Sequence, residues 1–344
     1  MKIPFEEEFR QRYHALLDEV FESNYLSEGA MVRRFETAFG DLIKVPCRAV
    51  TNGGTALLAI FDYVDVRGRD VIVPANTFWA TAAAAKRAGA NVIYADCNRE
   101  DLCLSLSDLK SKVTPNTRAV AIVHIGGHIA FEIEEIARFC KERSIFLVED
   151  CAHAHGASWN GKAAGSFGFA GAYSFYATKT MPLGEGGMVC SANDSFMEWL
   201  SLYRNYGKRV ENGKVGYTLL DGFNFRMNEV TAAFGLVQLE RLPMIMEWKR
   251  ALARKYDQVF ERRVRFPHGM VSGYYKYIVF DYALKEEVGQ VFARSDFGPE
   301  IEALPYELPA SRWVAEHHSC PPIYYGWDHA EKSVDELRHI LLGP

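Results

Sequence analysis

The sequence has little that would tie the protein to nucleic acid or to a membrane. Its formal net charge is −5, and no cluster of Lys and Arg residues marks a nucleic-acid surface. No apolar run approaches the length of a membrane span. The first residues are acidic and contain no apolar core segment, so we expect no signal peptide. We therefore predict neither a nucleic-acid partner nor a membrane partner.

Cysteine is sparse and scattered along the chain. The seven cysteines include no Cys-x-x-Cys pair, which argues against a zinc site and against a disulfide framework. This usage fits a reducing compartment, so we predict a cytoplasmic protein. A first-strand Gly-x-Gly-x-x-Gly is missing as well, which counts against an unrelated nucleotide-binding α/β protein.

The order of apolar segments indicates an α/β fold. Strand-like runs at 71–74, 92–96, 119–124 and 145–150 are separated by helix-like segments, among them 80–88 and 132–142. Continuous apolar strands between helices are typical of a mostly parallel sheet with both faces covered. Upstream, helical spacing over 5–22 predicts a first helix, and Ser27 is a plausible N-cap for a second.

The length of 344 residues suits a large domain followed by a smaller one. A helix is expected over 227–241, Pro243 should bend or end it, and another helix should follow over roughly 244–262. We therefore predict a large domain at 1–243 and a small α+β domain at 244–344. The small domain should contain a strand at 274–280 and a last helix near 332–342, and it shows no catalytic constellation.

Lys179 is the first candidate for chemistry. It lies in a mostly uncharged stretch of small residues between two strand-like runs, a setting that is unusual for a solvated surface lysine. Desolvation lowers the pKa of an ammonium group and frees the amine to attack carbonyls. We predict that Lys179 forms a Schiff base with pyridoxal 5′-phosphate (PLP).

Two other segments supply what such a cofactor needs. A glycine turn opens a helix at Gly54, Thr55 and Ala56, where free backbone N–H groups would bind a phosphate, although a tight turn with an N-cap explains the pattern too. Asp150 ends an apolar strand, and ligands of parallel sheets bind just beyond such ends. A carboxylate there would keep the pyridine nitrogen of PLP protonated. His153 is either a cofactor contact or a hydrogen-bonded loop histidine, and no metal site is predicted.

Several segments together resemble the DegT/StrS-type sugar aminotransferases, PLP enzymes of fold type I, the aspartate aminotransferase fold. The matching segments occur in the order of the family and include Glu149-Asp150-x-Ala152-His153, Ser174-Phe175-x-x-Thr178-Lys179 and Phe223-Asn224-Phe225-Arg226-Met227. The others lie at 26–36, 54–57, 71–81 and 184–189. The resemblance implies a mostly parallel seven-stranded sheet between helices in the large domain.

The resemblance also implies a role for each matching residue. Lys179 would be the Schiff-base lysine and the general base, and Asp150 would pair with the pyridine nitrogen. The remaining cofactor contacts would be Phe78 against the pyridine ring, His153 near its phenolic side, and Thr55, the Ala56 amide and Ser174 at the phosphate. Asn224 would reach the phosphate of a neighbouring subunit's cofactor, which implies a homodimer with active sites at the interface.

The implied reaction has two halves. L-Glutamate or glutamine would convert PLP to pyridoxamine 5′-phosphate, which would then aminate a keto sugar, expected to be a nucleotide-linked 3- or 4-keto hexose. Candidate substrate contacts are Glu185, Lys208, Arg209 and Arg226, each of which is also explained as a turn carboxylate or a solvated charge. The alternatives are a transaminase for a cyclitol or another secondary-metabolite ketone, and a non-catalytic PLP-binding regulatory protein.

Overall fold

A computed structural model describes residues 4–211, 213–219 and 221–343. A seven-stranded sheet forms its centre, and four further strand pairings are short. The strands are β1 (Cys47–Val50), β2 (Asp70–Pro74), β3 (Asn91–Ala95), β4 (Thr117–Val123), β5 (Phe146–Asp150), β6 (Ser158–Trp159), β7 (Lys162–Ala163), β8 (Ala170–Ser174), β9 (Gly187–Cys190), β10 (Lys208–Glu211), β11 (Lys214–Tyr217), β12 (Met270–Val271), β13 (Val279–Phe280) and β14 (His318–Ser319).

Helices connect the strands and cover the sheet. They are α1 (Glu7–Ser23), α2 (Ala30–Ile43), α3 (Gly53–Tyr63), α4 (Ala80–Arg87), α5 (Leu106–Lys112), α6 (Ile133–Glu142), α7 (Asp194–Tyr203), α8 (Glu229–Val259), α9 (Pro299–Glu302), α10 (Pro309–His317) and α11 (Val334–Leu342). Single 3-10 turns occur at Ile125–Gly127 and Arg294–Asp296. None of these helices has an apolar stretch long enough to cross a membrane.

The central sheet confirms the predicted α/β class. Its strand order is β1-β9-β8-β5-β4-β2-β3. Only β9 runs antiparallel to its neighbours, β1 and β8, and all the other pairings are parallel. The predicted mostly parallel, seven-stranded sheet is therefore correct. Because β5 and β8 are parallel neighbours, their carboxyl ends bring Asp150 and Ser174 to the same edge of the sheet.

Successive side chains of a strand point to opposite faces of the sheet, so the apolar core is divided between the two faces. Ile72 of β2 packs in one buried cluster, whereas Val71 and Val73 pack in the other. The first cluster takes apolar residues from α1, α2, α6 and the first half of α8, and the second takes them from α3, α4 and α7. Helices therefore cover both faces, as continuous apolar strands require.

The second helix begins later than the local sequence predicts. The N-cap of α2 is Gly29 and not Ser27. The buried carboxylate of Glu229 accepts hydrogen bonds from the N–H groups of Gly29, Met31 and Val32 at 2.8–3.0 Å. A carboxylate near a helix N-terminus satisfies free N–H groups and interacts favourably with the helix dipole. A residue two hundred positions away thus takes the place of a local cap.

Two predictions for the C-terminal part are wrong. A single helix, α8, runs through Pro243, so the separate helix predicted from about residue 244 is wrong, whereas a bend at Pro243 stays a prediction. Leu242, Ile245 and Met246 keep the buried stripe of α8 in the core on both sides of the proline. The division at residues 243 and 244, which remains a prediction, therefore falls inside one helix. The predicted strand at 274–280 is reduced to β13, and the backbone before it bonds to the Ile125–Gly127 turn instead. The last predicted helix is present as α11.

Candidate active site

Lys179 lies in the loop that joins β8 to β9. Its backbone N–H donates to the carbonyl oxygen of Tyr176 at 2.9 Å, and its half-buried side chain places Nζ 4.8 Å from the centre of the Tyr275 ring. Burial lowers the pKa of Lys179 to about 8, against the opposing pull of the Asp150 carboxylate. A substantial fraction of this amine is therefore neutral near pH 8 and able to act as a nucleophile.

Asp150 is the last residue of β5, and its carboxylate is held in place from two sides. Thr81 donates its hydroxyl proton to Oδ2 at 2.8 Å, and the Ala152 N–H donates to Oδ1 at 3.0 Å. Thr77 lies 2.8 Å from the Thr81 hydroxyl and acts as the donor there, because the Thr81 proton is already committed. The carboxylate is buried and oriented by hydrogen bonds from α4 and from the loop after β5.

The start of α3 is an N-terminus with open donors. Asn52 caps it in a capping box, accepting the Thr55 N–H through Oδ1 at 2.9 Å and donating its own N–H to the Thr55 hydroxyl at 3.1 Å. The Ala56 N–H donates to the Asn52 carbonyl at 3.1 Å. The N–H groups of Gly53 and Gly54 make no hydrogen bond to any residue in the described ranges. They are thus better placed to bind an anion than the predicted Ala56 amide.

Ser174 meets the start of α3. A Cβ added at Gly53 would lie 2.8 Å from the Cβ of Ser174, so the end of β8 and the first turn of α3 approach each other too closely for a side chain. The structure therefore brings together the predicted phosphate contacts Gly54, Thr55 and Ser174. Asn52 and Gly53, to which no role had been assigned, complete this corner.

His153 and Lys179 both lie against the ring of Tyr275. Its ring stacks on that of Tyr275, with centres 4.0 Å apart and an angle of 17° between the planes. Its buried Nδ1 has no hydrogen-bond partner within the described residues, which points to a group still to be bound there. Burial, with the positive charge of Lys179 as the second cause, lowers the pKa of His153 well below its usual range. The ring is therefore neutral at pH 7.

The other predicted contacts are exposed. The Phe78 ring is 75% exposed, so its face is open for stacking. Asn224 is exposed, and its Oδ1 accepts the Arg226 N–H at 3.4 Å. Glu185 is exposed in the turn before β9. Among these three, the structure shows no hydrogen bond to Lys179, Asp150 or Ser174 within the part of the chain that it describes.

The basic candidate residues for the substrate differ in whether other protein groups already pair with them. Arg209 on β10 forms ion pairs with Glu198 at 2.5 Å and with Glu211 at 3.3 Å, so two carboxylates already balance its charge. Arg226 donates to Oδ1 of Asn205 at 2.6 Å. Lys208 is exposed at the start of the β10–β11 hairpin. Arg209 is therefore the weakest of the three candidates for an anionic substrate.

Sequence reasoning missed a set of residues from beyond residue 243. A cavity of about 470 Å³ adjoins Lys179 and is lined in part by Lys249, Tyr275 and Lys276. That the C-terminal part carries no catalytic constellation stays a prediction, although side chains from this part line the cavity beside Lys179. Two signals were available: Lys276 lies among tyrosines at 274–277, and Lys249 occupies the apolar stripe of α8 between Ile245 and Leu252.

The sequence pattern of the DegT/DnrJ/EryC1/StrS aminotransferase family matches residues 7–284. The chain belongs to this family. Family membership agrees with the predicted resemblance and with the position of Lys179, Asp150 and Ser174 at one edge of the sheet.

Characterised relatives act on different nucleotide sugars. The chain is 37% identical to a GDP-perosamine synthase of Vibrio cholerae over 70% of this chain and 65% of that enzyme. It is 33% identical to a dTDP-4-dehydro-2,3,6-trideoxy-D-glucose 4-aminotransferase of Saccharopolyspora spinosa over 76% of this chain and 73% of the relative. The first alignment spans less than two thirds of the relative's length. Among solved structures, the aminotransferase TlmJ of Streptoalloteichus hindustanus shares 27% identity over 95% of each chain, with a TM-score of 0.84.

Enzymes of the DegT/DnrJ/EryC1/StrS family depend on PLP, and the residues of this chain fit that cofactor. The open amides of Gly53 and Gly54 and the adjoining Ser174 suit a phosphate, and the buried Asp150 carboxylate suits a protonated pyridine nitrogen. The unpartnered Nδ1 of His153 suits a polar ring substituent. The prediction of a PLP cofactor is thus confirmed at the level of the family, whereas the contacts of individual residues remain predictions.

Two groups of buried side chains of metal-ligand type lie elsewhere, and protein hydrogen bonds already engage them. Glu149 accepts the N–H groups of Gly165, Phe167 and Gly168, and its Oε2 lies 2.9 Å from Nε2 of His124. Since Nδ1 of His124 accepts the Ala130 N–H, Nε2 is the donor to Glu149. In the second group, Asp101 accepts the N–H groups of Cys103 and Phe131, and the third member is His128.

Proposed function

We propose that the chain is a PLP-dependent aminotransferase that moves an amino group from L-glutamate or glutamine to a ketone on a sugar. The observation that carries this proposal combines two groups: a half-buried lysine amine in the loop after β8, with its pKa lowered to about 8, and a buried, hydrogen-bonded carboxylate at the end of the adjacent parallel strand β5. Bound PLP supplies an electron sink that allows a proton to leave the substrate carbon bearing the nitrogen.

The residues of the chain have separate roles in binding the cofactor and in moving the proton. Lys179 holds the cofactor covalently and then carries the proton at its Nζ, a role that suits an amine whose pKa lies close to the working pH. Asp150 provides the fixed negative charge opposite the ring nitrogen, and Thr81 orients it. Ser174 and the amides of Gly53 and Gly54 would bind the phosphate. Thr55, whose hydroxyl donates to the Asn52 carbonyl at 2.8 Å, would hold the turn that carries these amides.

The proposed acceptor is a nucleotide-linked 3- or 4-keto hexose. The names of the relatives support this class, but they carry both GDP and dTDP sugars, so no nucleotide is assigned. Lys208 and Arg226 remain the candidates for the diphosphate, and Glu185 for a sugar hydroxyl. Arg209 contributes less, because Glu198 and Glu211 already pair with it.

A homodimer with active sites at the subunit interface accompanies this function. Large apolar side chains at the surface support it, since exposed apolar patches mark interaction sites. They include Phe21, Tyr25, Leu26, Phe78, Tyr176, Tyr206, Tyr217 and Phe223. In this arrangement Asn224 would reach the cofactor phosphate of the neighbouring subunit. The seven free, buried cysteines support a location in the cytoplasm.

Absorption spectroscopy of the purified protein tests the function. The wild type with PLP should be yellow, and Lys179→Ala should remove the colour. Addition of L-glutamate should bleach the wild type, and a keto sugar bound to GDP or dTDP should restore the colour. A protein that stays yellow with every amino donor would be a passive PLP binder, and a protein that never takes up PLP contradicts the proposal.

A further inference from the structure

Apart from Lys179 itself, the cavity at this lysine is lined by side chains to which no cofactor contact is assigned. Its volume is about 470 Å³, which lies in the range of small-molecule sites. Apart from Lys179, its charged lining consists of Lys249, Lys276 and Glu287. Its apolar lining includes Ile245, Val288 and Ile323. The cavity therefore combines an excess of positive charge with aliphatic walls.

Lys249 enters the cavity from the buried stripe of α8. Its Nζ donates to the carbonyl oxygen of Tyr274 at 2.9 Å and to the hydroxyl of Thr180 at 3.3 Å. An ammonium group has three donors, so one remains open. Burial lowers the pKa of Lys249 to about 7, with the positive charge of Lys276 as the second cause. An anion next to this amine would favour its charged form.

Lys276 lines the same cavity and lies two residues after Tyr274, the residue whose carbonyl oxygen accepts from Lys249. Its Nζ donates to the carbonyl oxygens of Val288 at 2.5 Å and of Gly289 at 3.4 Å, which again leaves one donor open. The Nζ atoms of Lys276 and Lys179 lie 5.7 Å and 4.8 Å from the centre of the Tyr275 ring. The amines of Lys179, Lys249 and Lys276 thus all lie close to Tyr274 or Tyr275. Glu287 is the one carboxylate among the described residues that line the cavity.

We propose that Lys249 and Lys276 form a carboxylate-binding subsite next to Lys179. Each offers one free N–H in the same cavity, and two ammonium groups there would favour a bound carboxylate. The aliphatic walls suit a short methylene chain. The carboxylate belongs either to an acidic amino donor, as its distal group, or to an acidic keto sugar. This assignment rests on the proposed aminotransferase function, since it identifies one of that enzyme's two substrates.

Calorimetric binding to the PLP-loaded protein tests the subsite without measuring turnover. Glutarate, which has the carbon frame of glutamate but no amine, represents the donor. Glucuronate represents an acidic sugar, with glucose as its neutral counterpart. Lys249→Met removes one of the two donors. Lys255→Met is the matched control, because Lys255 lies on the same helix and likewise makes two hydrogen bonds, to carbonyl oxygens outside the cavity.

We expect Lys249→Met to weaken glutarate binding at least tenfold and Lys255→Met to leave it unchanged, which assigns the subsite to the donor. The same pattern with glucuronate, but not with glucose, assigns it to an acidic acceptor. If neither acid binds the wild type, or if both bind equally to wild type and Lys249→Met, the subsite does not exist. Lys276→Met gives the same comparison should Lys249→Met fail to fold. A protein that bleaches with L-glutamate yet shows no such pattern loses the subsite but keeps the proposed function.

Discussion

The hydroxyl of Thr81 donates a hydrogen bond to Oδ2 of Asp150 at 2.8 Å. This bond links helix α4 to the end of strand β5. This bond fixes the carboxylate that the proposed function places opposite the cofactor ring. Its acceptor is ionised and buried, the setting in which a hydrogen bond contributes most. Thr81 therefore positions Asp150 without touching the substrate.

Replacing Thr81 by Val should weaken cofactor binding with little change in packing volume. A lost hydrogen bond to a buried charge costs about 1.5–3 kcal/mol, which corresponds to roughly a ten- to hundredfold increase in the Kd for PLP. Fluorescence titration of the apoprotein with PLP measures it. Thr81→Ser, which keeps the hydroxyl, should stay close to the wild type. Equal affinities for all three proteins would show that Asp150 needs no such support.

The close approach of α3 to Ser174 leads to a separate prediction about binding of the cofactor phosphate. Gly53→Ala would bring a Cβ to 2.8 Å from the Cβ of Ser174 and displace the turn that carries the open amides. PLP should bind more weakly, whereas pyridoxal, which lacks the phosphate, should bind as it does to the wild type. Gly216→Ala is the control, because an added Cβ there meets nothing within 4 Å. A parallel loss for pyridoxal would mean that the change disturbs the whole site and not the phosphate corner.

The pKa of Lys179 predicts how the capture of PLP by the apoprotein depends on pH. Only the neutral amine attacks, so the rate should rise as the pH increases through about 8 and level off above it. An exposed lysine would show its midpoint near 10.4. Stopped-flow absorbance over pH 6.5–10 records the profile. A midpoint above 10 would show that burial does not lower the pKa of this amine.

Much of the fold and of the cofactor corner could be predicted because the signals are local. Apolar runs predicted four strands of the central sheet, the end of one of them predicted Asp150, and the uncharged stretch around Lys179 predicted that lysine. The number of strands and the contacts of Phe78, Ser174 and Asn224 came from the family resemblance. The parts that failed depend on contacts between distant segments. Glu229 caps α2 from two hundred residues away, and no pattern near Ser27 carries that information.

Helix α8 around Pro243 is a second case in which tertiary packing overrides a local sequence signal. Proline removes a hydrogen bond and usually interrupts a helix, but packing of the surrounding stripe outweighs that local cost. Lys249 was overlooked because a lysine on a helix is ordinarily solvated. Only the fold shows that this one is 4% exposed and faces the cavity beside Lys179.

Glu229 provides a test of the remote cap. Glu229→Gln retains the shape but removes the charge that three N–H groups of α2 share. We expect a loss of about 1–3 kcal/mol in the free energy of unfolding, from weakened hydrogen bonds to a buried carboxylate. Urea denaturation measures it. Glu240→Gln on the same helix removes an exposed ion pair with Arg12 and should cost less than about 1 kcal/mol. Equal effects of the two changes would contradict the cap.

Lys249 should make the stability of the apoprotein depend on pH. Its pKa is about 7 in the folded state and near 10.4 in the unfolded chain, so between these values the unfolded state binds more protons and stability rises with pH. The contribution is about 1.4 kcal/mol per pH unit at most. Lys249→Met removes it, so the stability of this variant relative to the wild type should be highest at pH 6 and fall steadily towards pH 9. Lys255→Met should show no such trend. Urea denaturation at pH 6, 7, 8 and 9 gives the comparison. A difference between Lys249→Met and wild type that does not change with pH would mean that Lys249 stays charged in the folded protein up to pH 9, and that burial does not lower its pKa.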